Sequence, residues 1–128
     1  MKTFLQLMII SLLMVLAAPA WSAEVLHSLQ CQQSDEVSDE KVDAMTVEWL
    51  AAAKTVKGGE NLQVRLNFPV AAKAGDVDLV IVLVTPSFTE WGTFMDNYAG
   101  SAAEAVDAKH MDGLDCGNGA LWESISFK

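Results

Sequence analysis

The chain has 128 residues, a formal net charge of −9 at pH 7 and hydrophobic residues at 52% of its positions. That length suits one hydrophobic core rather than two. The acidic balance repels DNA, RNA and anionic membrane surfaces, so no nucleic-acid partner is expected; it reads first as a solvated acidic surface that keeps the chain soluble, and it could also favour a basic partner or cations.

The N-terminus reads as an export signal. Met1-Lys2 supplies a positive charge, Phe4 to Leu16 is apolar except for Gln6 and Ser11, and Ala17 to Ala23 is mostly small. A basic start, a short apolar run and a small-residue exit are the parts of a secretory signal peptide. The run is shorter than the ~20 residues of a comfortable bilayer span. Cleavage between Ser22 and Ala23 places Ala20 and Ser22 at the positions that require small side chains. The expectation is therefore a signal peptide over 1–22, a single domain over 23–128, a periplasmic location and no membrane attachment after cleavage. Lys2 leaves with the signal, which takes the net charge of the remaining 106 residues to −10.

Cys31 and Cys116 are the only cysteines. In an oxidising compartment an even pair is most simply a disulfide. Nothing of the C-x-x-C type points to redox catalysis.

Glu24 to Cys31 alternates, with Val25, His27, Leu29 and Cys31 on one side, and predicts a first strand. Gln32 to Val37 predicts a turn. Ser38 is a helix N-cap, with Asp39 and Glu40 well placed in the first turn. Val42, Met45, Trp49, Ala52, Ala53 and Val56 then mark one apolar helix face, which Gly58-Gly59 ends. Leu62 to Val70 alternates again. Leu62, Val64, Leu66 and Phe68 point one way, and Gln63, Arg65 and Asn67 the other. Pro69 suits the end of an edge strand. Ala71 to Asp76 makes a turn at Gly75. Val77 to Thr85 is apolar on both faces and predicts a central strand. Ser87 and Glu90 form a capping box for a helix with Trp91, Phe94, Met95 and Tyr98 on one face. Gly100 breaks that run, and Ala102 to Met111 predicts a further helical segment. Asp112 to Gly119 reads as a turn-rich loop, and Leu121 to Phe127 as a last strand.

Strand, helix, strand, strand, helix, strand is the order of the split βαβ, ferredoxin-like α+β sandwich. Its four-stranded antiparallel sheet, with helices on one face, has the spatial order fourth, first, third, second. The end of the first strand then lies beside the start of the last, which would bring Cys31 to Cys116. The disulfide and the topology support each other.

The strand Val77–Val84 running into Pro86-Ser87-Phe88-Thr89-Glu90-Trp91-Gly92-Thr93-Phe94, followed by a short final strand, resembles the second half of small dimeric α/β-barrel proteins. The resemblance is one of element pattern. It implies two ferredoxin-like subunits pairing their sheets face to face, with no catalytic residue carried over. Such a homodimer would enclose the uncovered sheet face as a small, partly polar cavity.

Candidate site residues follow from that face. Gln63, Arg65 and Asn67 would meet Trp122, Ser124 and Ser126 there, with Ser28 and Gln30, while Ile125, Phe127 and Leu121 join the core. Arg65, the only arginine, could bind a carboxylate or phosphate, or pair with Glu123. His27 reads as a packed histidine. His110, in Lys109-His110-Met111-Asp112, has no second histidine at i+4, and Asp112 to Gly119 lacks the ligand spacing of a calcium loop. No metal and no cofactor are expected. Trp49, Trp91, Phe94 and Tyr98 read as core, and the spaced acids as solvated helix faces. Two functions remain: a non-enzymatic binding or interaction module, with a protein partner, and a small enzyme or ligand-binding protein using the enclosed face.

Overall fold

A computed structural model describes residues 23–70, 77–110 and 112–126. The proposed signal peptide, the turn at 71–76 and Phe127 lie outside the described residues. Within them the order is β1 (Glu24–Gln33), α1 (Asp39–Ala53), β2 (Gln63–Asn67), β3 (Leu79–Thr85), α2 (Phe88–Asp96), α3 (Ala102–His110) and β4 (Leu114–Ser124). The four strands form one sheet in the order β2-β3-β1-β4. Every neighbouring pair is antiparallel. This is the ferredoxin-like arrangement, with three helices.

The side chains explain the element ends. Ser38 caps α1 by accepting from the Lys41 amide. Ser87 caps α2 by accepting from the Glu90 amide, and its hydroxyl donates to Glu90 Oε2 at 3.2 Å. The first helix stops at Ala53, earlier than its apolar spacing suggests. Val56 is buried all the same, because a tight turn folds it back on the core. Gly58 makes that turn possible. Its φ is +88°, and a Cβ there would stand 2.5 Å from the Phe94 amide nitrogen, so the turn lies directly against α2.

The last strand is the main correction. Asp112 to Gly119 is not a turn-rich loop, since β4 already begins at Leu114. Gly117, Asn118 and Gly119 form a bulge instead. Ser28 pairs with Ala120 and Gln30 with Gly117, so Asn118 and Gly119 together oppose Leu29. An extra residue in one strand is what defines a bulge, and it favours residues that tolerate unusual backbone angles. Asn118 has a φ of +46°. A Cβ on Gly119 would press on His27 Nε2 at 3.3 Å. Pairing with β1 thus overrides the local turn signal. The strand also ends sooner than expected, at Ser124, and both Leu121 and Ile125 are exposed rather than in the core, because β4 is an edge strand of slight burial. Phe68 lies beyond the end of β2 and is likewise exposed. On the other side, β1 continues through Gln33 into the span read as a turn.

The helix-covered face carries two packed clusters. Ala53, Val56, Leu62, Leu83, Phe94 and Ala103 form one. Cys31, Val37, Val42, Met45 and Leu79 form the other. Cys31 and Cys116 sit directly opposite each other on β1 and β4 and are joined by a disulfide. That bond anchors the edge strand, whose own burial is slight.

The cysteines are 85 residues apart. Closing so long a loop restricts the unfolded chain, so the double variant Cys31→Ser/Cys116→Ser should lose about 4 kcal/mol of stability. Urea unfolding of the variant and of the intact protein measures this. An unchanged midpoint would show that β4 is held by its backbone pairing alone.

Candidate functional site

The sheet has two faces with different surroundings. The register places Gln63, Arg65 and Asn67 opposite Val84, Val82 and Val80, and places Leu26, Ser28 and Gln30 opposite the same three. Trp122 and Ser124 join this face from β4, across from Leu26 and Glu24. The sequence-derived candidates Gln63, Arg65, Asn67, Trp122 and Ser124 therefore do share one face, the one without helices. Trp122 reaches back over β1, and its indole donates to Ser28 Oγ at 3.1 Å. Arg65 pairs with Glu24 at 3.6 Å rather than with Glu123. Glu123 aligns with Val25 and belongs to the opposite face. The Arg65–Glu24 pair joins β2 to β1 across β3, close to Val84, which is 3% exposed. Both partners remain accessible to water, so the pair itself is worth at most about 1 kcal/mol.

The cavity lies on the other face, between the sheet and two helices. It measures about 880 Å³ and is open on one side. Its floor is Leu29, Val64, Ile81, Leu83 and Leu114, with Cys116 at one end; α1 contributes Met45, Thr46 and Trp49. The remaining wall is the loop before α3 and α3 itself, through Tyr98, Ser101, Glu104, Ala105, Asp107, Ala108 and His110.

The reason for the space is in the sequence of α3. Its nine residues, Ala-Ala-Glu-Ala-Val-Asp-Ala-Lys-His, include four alanines, and only Ala103 is buried. A helix without large apolar side chains cannot fill the gap between two core clusters. α3 is held against α1 by polar contacts instead. Glu48 accepts from Lys109 Nζ at 2.6 Å and lies 2.9 Å from His110 Nε2. Hydrogen bonds from Lys109 and His110 hold the Glu48 carboxyl below its ordinary range.

Polar groups cluster at one side of this apolar volume. Tyr98 donates its phenol to Asp107 Oδ2. Burial pushes the Asp107 carboxyl up. The Trp49 indole, which faces it outside full hydrogen-bond geometry, and the His110 charge pull it back without cancelling that effect. Phe94 stands behind the aromatic lining, edge-on to Trp49 and to Tyr98 with ring centroids 6.2 and 5.7 Å away. Such edge-to-face contacts hold rings in place.

A second polar group is buried under α2. His27 meets Trp91 edge-on at 6.0 Å, and burial pulls its imidazole below the ordinary value. His27 Nδ1, Trp91 Nε1 and Thr85 Oγ1 have no hydrogen-bond partner among the described residues. A neutral, packed histidine fits this environment. No group of three or more potential metal ligands occurs among the described residues.

Sequence reasoning thus assigned Trp49 and Tyr98 to the core and missed Asp107, Glu104 and Ser101. The signal for these acids was their i, i+3 spacing on an alanine-rich helix, which puts two carboxylates on one helix face.

The raised Asp107 carboxyl makes a signed prediction. A folded-state pKa above the unfolded value destabilises the protein progressively as pH rises between the two, and the full cost is present above the folded value. Asp107→Asn, which keeps an acceptor for Tyr98, should therefore stabilise the protein at neutral pH, and the gain should vanish below the ordinary carboxylate range. Thermal unfolding from pH 3 to 8 reads it. A loss of stability at neutral pH would contradict the assignment.

No protein-family model matches the chain, and no curated protein matches it. Thirty chains of solved structures do match. One is a dimeric ferredoxin-like protein of unknown function from Thermobifida fusca YX, with a TM-score of 0.54 and 13% identity over 80% of this chain and 92% of that one. Another is At3g17210 from Arabidopsis thaliana, with a TM-score of 0.56 and 13% identity over 81% and 96%. At such identities the likeness is one of fold, and the fold is ferredoxin-like.

Proposed function

We propose that this is an exported small-ligand-binding protein that works as a homodimer. The observation that carries the binding role is the cavity of about 880 Å³ beneath α1 and α3, with apolar walls and a few converging polar groups. Its size and lining match the usual pattern of small-molecule sites. Leu29, Ile81 and Leu83 give an apolar floor, while Asp107, Tyr98 and Ser101 provide orientation. The ligand is mostly apolar and enters on the open side.

The dimer uses the uncovered sheet face. Trp122 is 58% exposed there, and Leu26, Val80 and Val82 are only partly covered. An exposed patch of this kind, with an apolar middle and polar side chains around it, is suited to a partner surface. The Thermobifida fusca protein of the same fold is dimeric. Gln63, Arg65, Asn67 and Ser124 then line the interface rather than an open surface. Export rests on the N-terminal signal, and the disulfide suits an oxidising compartment.

Two experiments test this reading. N-phenyl-1-naphthylamine, an uncharged apolar fluorophore, should brighten on binding the disulfide-intact protein. Ala105→Trp puts a bulky ring at the cavity wall and should weaken that binding roughly tenfold or more. Equal binding by the variant would move the site elsewhere. Sedimentation equilibrium should give a dimer for the intact protein and a monomer for Trp122→Lys, which places a charge on the uncovered sheet face. A monomeric intact protein would remove the dimer from the reading.

A further inference from the structure

We propose that the cavity selects organic cations, an ammonium group carried on an apolar body, an inference that rests on the ligand-binding reading above. The titratable side chains lining the cavity are unbalanced. Glu104 and Asp107 contribute two carboxylates, and among the described residues neither lysine nor arginine lines it. His110, the one basic lining group, is already engaged by Glu48 at 2.9 Å. The whole chain is acidic, with a formal charge of −9, so a cation is also drawn to the surface around the mouth.

The N-terminus of α3 does not offset this. Helix starts attract anions through free amides. Here Ser101 Oγ accepts from the Glu104 amide, and Glu104 Oε2 accepts from the Gly100 amide at 2.7 Å. The helix start is answered by the protein's own carboxylate and hydroxyl.

Two further features favour an organic cation over a metal ion. Trp49 and Tyr98 present aromatic rings to the same volume, and ring faces attract ammonium groups. The floor is aliphatic, which suits a hydrocarbon body and would leave a hydrated ion without ligands. Asp107 is the central acid. One oxygen accepts from Tyr98, so the carboxylate is fixed in orientation, and its other oxygen stays open to a positive charge. A bound ammonium supplies that charge.

Benzyltrimethylammonium and its uncharged carbon isostere, neopentylbenzene, isolate the effect of charge at constant shape. Each is titrated against N-phenyl-1-naphthylamine on the disulfide-intact protein, with calorimetry for the cation. The cation should bind roughly tenfold more tightly than the isostere. Asp107→Asn should bring the two affinities together, while Glu123→Gln, which removes an acid away from the cavity, should leave the ratio as it was. Circular dichroism confirms that both variants are folded. Equal affinities in the unaltered protein would overturn cation selectivity while leaving the cavity as a site for neutral ligands. A ratio that survives both Asp107→Asn and Glu104→Gln would also overturn it. If none of the three probes binds, the ligand-binding reading falls, and this inference with it.

Discussion

Strand β1 is the constraint on which the rest of the structure depends. It is paired along its length on both sides, to β3 and to β4. Its alternation therefore sets what each face of the sheet can be. Val25, His27, Leu29 and Cys31 point to the helices, and Leu26, Ser28 and Gln30 point away. A shift of one residue would exchange the two sets. The disulfide at Cys31 fixes β4 in this register at one end. The bulge at Asn118 and Gly119 lets the strand absorb its extra residue without losing the alternation at Leu121 and Trp122. The cavity floor and the exposed apolar face are thus two sides of one register.

Much of this was legible in the sequence because it is carried by local patterns. The caps at Ser38 and Ser87 are short-range hydrogen bonds with fixed spacing. The alternation from Val25 to Cys31 and from Leu62 to Leu66 is a direct trace of a half-covered sheet. Cys31 and Cys116 were paired correctly because the topology brings the end of β1 beside β4 and the chain has no other cysteine. The stretch from Asp112 to Gly119 was misread because its residues satisfy two descriptions. Glycine and asparagine favour turns, and they also favour bulges in a paired edge strand. Only the partner strand decides between them, and β1 lies more than eighty residues away in sequence, as the spacing of the two cysteines shows. The end of α1 was overestimated for a related reason. Val56 is buried by a turn, so its apolar character continues the helical spacing without the helix.

The location of the cavity was not legible in the same way. A cavity is what several elements fail to fill, and no single element encodes it. Trp49 and Tyr98 have the spacing of core residues and do pack on Phe94. They are also cavity walls, because α3 brings alanines where larger side chains would have closed the volume. Protein interiors are packed to crystal-like density, so an open volume of about 880 Å³ beside two filled clusters is a departure that composition alone did not reveal. The acids of α3 looked like a solvated face, and in part they are. Glu104 and Asp107 also stand beside the apolar floor of the cavity.

The polar contacts that hold α3 in place also explain why this wall can be sparse. A helix with one buried alanine gains little from apolar burial, on the order of 1 kcal/mol per methylene-sized group. Its attachment comes instead from Glu48 bridging to Lys109 and His110, and from Tyr98 reaching Asp107. These contacts are at or near the surface and individually weak. They tether the C-terminal end of α3 without filling the space beneath it. Larger side chains at Ala105 and Ala108, which line the cavity, would narrow it. The small side chains of α3 thus leave the volume beside the sheet open, with polar contacts rather than packing holding the wall in place.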